Sequence, residues 1–106
     1  MEFKINIEDD VCEAEVEGEL TIYHANEFRK ELEKAIKKAG SFMLDLSGVS
    51  EMDTSCFQLL MQAQNACFEN DKDFKLTAVS PAVQEVIEIF GMGQHFVGYN
   101  SNAVAM

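Results

Sequence analysis

FMLDLSGVSEMDTSCF, residues 42–57, passes from a compact apolar run through small and polar residues to a cluster of acid, hydroxyls and thiol. FMLDL, 42–46, is short and nearly all apolar, which predicts a central strand covered on both faces. SGVSEM reads as a loop, and Asp53 as the cap of a helix running to about Glu69. On that helix Gln58, Gln62, Asn65 and Glu69 make a polar stripe. Phe57, Leu60, Ala63 and Cys67 fall largely off the stripe and are expected to pack on a sheet.

Upstream, Phe3, Ile5 and Ile7 alternate with Lys4 and Asn6, and Cys12, Ala14 and Val16 alternate with Glu13, Glu15 and Glu17. These are two strands, joined across Glu8-Asp9-Asp10 as an antiparallel hairpin, with Gly18 ending the second. From about His24 to Lys38 the period becomes helical. Ala25, Phe28, Leu32, Ala35 and Ile36 share a stripe, Arg29, Lys30, Glu33 and Lys37 lie outside it, and Gly40 follows the end. Downstream, Phe74–Val79 reads as a strand, and Ser80-Pro81 as a cap followed by proline in the first helical position. Ala82, Val83, Val86, Ile87 and Phe90 form that helix's apolar face, and Gly91 stops it. A short edge strand is expected at Phe96–Tyr99, with a loose tail over 98–106. The resulting order, β-β-α-β-α-β-α, calls for a mostly parallel sheet with helices packed on it. Right-handed crossovers then place the 46–54 segment at the carboxyl end of a strand, where α/β proteins build their sites.

Length and composition bound the function. The 106 residues suit a single domain, 1–106, with a core over about 3–97. No apolar run approaches the roughly 20 residues of a membrane span, and MEFKINIEDD does not read as a secretory signal, so a cytoplasmic location without membrane insertion is expected. A net charge of −11 repels phosphate backbones and anionic headgroups, which sets nucleic acid aside as a partner. Cys12, Cys56 and Cys67 are an odd set without CxxC spacing, as befits free thiols in a reducing compartment. Cys56 and Cys67 would stand about 16 Å apart along one helix, beyond disulfide reach.

The chemistry narrows to the segment at 52–57. His24 and His95 fall at opposite ends of the pattern without ligand spacing to a cysteine, so neither a metal nor a cofactor is expected. Nothing nominates a base beside Ser55 or Cys56, which disfavours an enzyme. GMGQHFVG follows a helix instead of joining strand to helix, the wrong context for a dinucleotide loop. What remains is Asp53 as N-cap with Thr54 and Ser55 in the first turn, hydroxyls near solvent. A phosphate there would meet the positive end of the helix dipole and the repulsion of Asp53. A capped helix with no further chemistry explains the same residues, and from spacing alone it is the simpler account.

GEL at 18–20, LDLSGVSEMDTS at 44–55 and SPAVQEVIEIFGM at 80–92 together resemble the STAS domain family, the anti-sigma factor antagonists and their relatives, over about residues 3–97. The resemblance implies an α/β STAS-like fold, a small mixed sheet of about four to five strands with about three to four helices. It implies a bacterial regulatory phosphoprotein, not an enzyme, acting in signal transduction and transcription regulation. Its partner would be an anti-sigma factor serine kinase, with a phosphatase to restore it. By position, Thr54 is the implied phosphoacceptor, Asp53 and Ser55 belong to its loop and cap, and Thr21, His24, Ser50, Met52, Cys56 and Phe57 are the implied partner-binding residues. Family members usually carry Gly where this chain has Cys56, and several antagonists an acid in place of Thr21. GELTIYHA and DTS lean toward relatives found with chemotaxis systems or in a phospholipid-transport ABC complex. The alternative these relatives imply is an accessory subunit whose same loop docks on an ABC transporter ATPase, or a chemotaxis-linked STAS protein, in either case without phosphorylation.

Overall fold

The computed structural model describes residues 1–91, so the expected strand at Phe96–Tyr99, the tail and His95 lie outside the described residues. Strands β1 (Glu2–Glu8) and β2 (Val11–Leu20) form the antiparallel hairpin. Asp9 and Asp10 both take positive φ, 52° and 63°, the conformation of a two-residue turn that matches the twist of the strands. A 3₁₀ turn at Ile22–His24 leads into α1 (Ala25–Ile36). The chain continues through β3 (Ser41–Met52), α2 (Thr54–Glu69), β4 (Asp73–Val79) and α3 (Pro81–Ile89). The described sheet has four strands in the order β1-β2-β3-β4, with β2, β3 and β4 parallel.

The core lies on one face of this sheet. Cys12, Ala14 and Val16 of β2, Phe42, Leu44 and Leu46 of β3, and Phe74 and Leu76 of β4 are buried there. Phe28 and Leu32 of α1, Leu60 and Cys67 of α2, and Val83 and Ile87 of α3 complete it. The opposite face leaves Glu13 and Glu15 exposed and Met43 and Asp45 half-buried. The composition of FMLDL predicts a strand covered on both faces; β3 is instead covered on one, and that expectation is corrected. Its apolar run still alternates between core and open sheet, and Met43 and Asp45 take the open side.

Two further expectations are corrected at the carboxyl end of the sheet. SGVSEM is not a loop: β3 runs on through it to Met52. Gly18 does not end β2, which continues to Leu20. The extension is irregular, because β3 gains residues on β2 between Glu15 and Glu17 and again between Gly18 and Glu19, where Ser50 is the extra residue. Such bulges bend a strand and raise its twist. Gly18, at φ +100°, supplies the backbone conformation that the irregularity needs. Gly48 lets the strands close up, since a Cβ there would sit 2.7 Å from Glu17 Cγ. The Asp45 carboxylate accepts the Ser47 N–H at 2.8 Å, steadying the first bulge.

Candidate functional site at the carboxyl end of β2 and β3

Leu20 and Met52 are register partners, so β2 and β3 end side by side. One strand passes into the 3₁₀ turn, the other into α2, and Asp53 joins the two exits. Its N–H donates to Leu20 O at 3.0 Å. Its Oδ2 accepts the Ile22 N–H at 2.6 Å, and its Oδ1 accepts the Ser55 hydroxyl at 2.6 Å and the Cys56 N–H at 3.2 Å. The expected N-cap is thus also a staple between two segments distant in sequence. Desolvation alone would raise the Asp53 carboxyl, but the hydrogen bonds from Ser55 Oγ and from the Cys56, Ile22 and Ser55 N–H groups outweigh it and hold it below the usual carboxylate range.

The hydroxyls that follow differ. Ser55 is half-buried and spends its proton on Asp53, whereas Thr54, the first residue of α2, is exposed. Thr21 and His24 are half-buried beside them; Thr21 O accepts the His24 N–H at 2.9 Å and the Cys56 thiol at 3.4 Å. Ser50 is exposed on the bulge, further back along β3.

Three residues implied as partner contacts lie beneath this surface. Met52, Cys56 and Phe57 are 7%, 0% and 4% exposed, so they shape the site from below and cannot themselves meet a partner in this conformation. Met52 is buried at the end of β3, while helical phase buries the other two: the third residue of α2 faces the sheet, and Phe57 stacks on Phe90 of the segment after α3 with ring centroids 5.0 Å apart. Burial, the Asp53 charge and the Ser55 contact together leave the Cys56 thiol pushed up to about 11, protonated and unreactive at neutral pH; the first two raise it and the third partly offsets them.

Sequence reasoning missed Ile22 and Tyr23. They stand in the 3₁₀ turn with 67% and 92% of their surface exposed, held beside Thr54 by the bond from Ile22 N–H to Asp53. A single turn has no periodicity to read, but two large apolar residues next to a histidine in a polar connection were the available signal. Among the described residues no group of His, Cys, Asp and Glu side chains is arranged to hold a metal ion. No described helix is long and apolar enough to cross a membrane.

The fold has close counterparts among solved structures. The unphosphorylated form of the anti-sigma factor antagonist SpoIIAA superposes with a TM-score of 0.75 at 18% identity, over 95% of this chain and 90% of the other. An anti-sigma factor antagonist from Mycobacterium paratuberculosis gives 0.77 at 20% identity, over 94% and 86%. A putative antagonist from Thermotoga maritima gives 0.77 at 22% identity, over 87% and 80%. No curated protein is significantly similar to the chain in sequence. The family described as "Mlab, STAS domain" matches residues 3–98, nearly the whole chain, with the Asp53–Thr54 corner inside the match; the chain belongs to the STAS domain family.

Proposed function

We propose that the chain is a non-catalytic docking switch of the anti-sigma factor antagonist type, working in the cytoplasm, in which a partner protein seats on Ile22, Tyr23 and Thr54 and a phosphate on Thr54 releases it. The observation that carries the reading is the contrast within one helical turn: Thr54 is exposed, while Asp53, Ser55 and Cys56 are committed to internal bonds. In the first turn of α2 a kinase finds the Thr54 hydroxyl exposed, whereas Ser55 is withheld by its bond to Asp53. Exposed Ile22 and Tyr23 supply apolar area for a partner, of the kind that marks interaction sites when grouped. Phosphate adds roughly −1.5 to −2 charge beside Asp53. Desolvating that charge against a surface fitted to a neutral threonine is costly, so binding falls while the fold persists. An anti-sigma factor serine kinase and an opposing phosphatase are the partners this scheme requires.

A second reading has its own support. The matching family is the Mlab type, and the Asp53 carboxylate opposes any phosphate placed next to it. On this reading the same corner docks permanently on the ATPase of an ABC transporter, and Thr54 is only a contact. Affinity capture from native lysate with wild type, Thr54→Ala and Thr54→Glu separates the two. The switch predicts that Ala retains the partner and Glu loses most of it. Equal recovery of a transporter ATPase by all three forms supports permanent docking and overturns the switch.

A further inference from the structure

Away from the Asp53 corner, α1 and α2 lie against each other with an open groove of about 410 Å³ between them. That volume falls within the roughly 300–1,000 Å³ of small-molecule sites. Its floor is apolar, with Ile36 of α1 and Leu59, Ala63 and Ala66 of α2. Its rim is cationic. Arg29, Lys37 and Lys72 border it, three of the eight basic residues of a chain whose net charge is −11, against the single acid Glu33. Among the described residues the ion pairs are Lys4–Glu2 and Lys34–Glu31, so none of the three rim cations is neutralised by one. Lys37 is the C-cap of α1. Lys72, just past α2, is anchored: its Nζ donates to Ile36 O at 2.7 Å. An ammonium has three donors, so this bond fixes the group in place and leaves others for a ligand.

We propose that the groove binds a single-chain anionic amphiphile, a fatty carboxylate, with its chain along the α1–α2 floor and its head at Lys37 and Lys72. Separation of apolar floor from cationic rim is what such a ligand matches. A neutral apolar molecule would leave the cations unused, and an alkyl cation would be repelled by them. The proposal is independent of the docking reading, because it uses no residue of the Asp53 corner.

The test is isothermal titration calorimetry of the full chain with sodium dodecanoate below its micelle concentration, with dodecyltrimethylammonium in parallel. Dodecanoate should bind saturably at a single site. Lys37→Glu, an exposed position, should weaken it by at least about tenfold, the scale of a lost charge-assisted hydrogen bond. Ala66→Phe, which fills the floor, should abolish it, with a thermal melt confirming that each variant folds. Absence of saturable uptake would overturn the proposal. So would equal affinity for the alkyl cation, or unchanged binding by a folded Ala66→Phe. If Ala66→Phe fails to fold, Lys37→Glu decides alone.

Discussion

Two helices of this protein begin in the same way and carry different chemistry. In α2 and in α3 an extended capping residue, Asp53 or Ser80, accepts the N–H of the third helical residue at 3.2 Å. In both the first residue is exposed, the second half-buried and the third, Cys56 or Val83, wholly buried. At α3 the cap is a neutral hydroxyl, itself buried, followed by Pro81 and Ala82, with nothing to modify. At α2 the cap is a half-buried acid, followed by Thr54 and Ser55, and it also holds the turn that presents Ile22 and Tyr23. Capping geometry alone therefore does not make a site. What distinguishes α2 is a charged cap with spare acceptor capacity and a hydroxyl that its neighbours leave free.

The largest expected effect lies in what the two starts share. Cys56→Gly removes a buried side chain and its bond to Thr21 O and puts glycine into a helix, so it should cost roughly 2–3 kcal/mol by denaturant unfolding. That exceeds the roughly 1 kcal/mol of an exposed helical position, and a smaller loss would mean that the buried thiol contributes nothing to the packing. Next come the caps. Asp53→Ala should cost about 1–2 kcal/mol and Ser80→Ala about 1 kcal/mol, the excess at Asp53 reflecting the Ile22 bond. Hydrogen exchange should then quicken at Ile22 only in the Asp53 variant. Equal exchange in both would remove the staple from the account.

Acid sharpens the same contrast. The Asp53 carboxyl is lowered in the folded protein, so its contribution is complete above the ordinary carboxylate pKa of about 3.9 and drains away as pH falls through the depressed folded value. The stability gap between wild type and Asp53→Asn should be full at neutral pH and close in strong acid, whereas the gap for Ser80→Ala should show no such closure. The smallest effect is expected for Thr54→Pro, which gives α2 the proline start of α3. Asp53 already has the extended backbone that a residue before proline needs, φ −102° and ψ 175°. Stability should change by less than about 0.5 kcal/mol, while any modification of this corner disappears.

The legible parts of the molecule were those with strong local signals. Both helix starts could be read because Asp53 and Ser80-Pro81 announce caps in a few residues, and the polar stripe of α2 fixed which face meets the sheet. The second half of β3 could not, because Ser47, Gly48, Ser50 and Glu51 face outward or bulge, and a strand that buries only Val49 and Met52 has lost its alternation. The same irregularity hid the continuation of β2 past Gly18. The site was half legible. Asp53, Thr54 and Ser55 stand together in the sequence, but the bond from Asp53 to Ile22 spans 31 positions and depends on two strands ending in register. Burial of Cys56 and Phe57 followed from helical phase, and the polar company of Cys56 in the cluster drew attention to the surface instead.

Phosphate occupancy at Thr54 in the native protein, measured by mass spectrometry separately on the partner-bound and free pools from the same cells, tests the switch most directly. A switch requires phosphothreonine at position 54 in the free pool, its depletion from the bound pool, and no phosphate on Ser55. Unmodified Thr54 in both pools, or equal occupancy in the two, would contradict it.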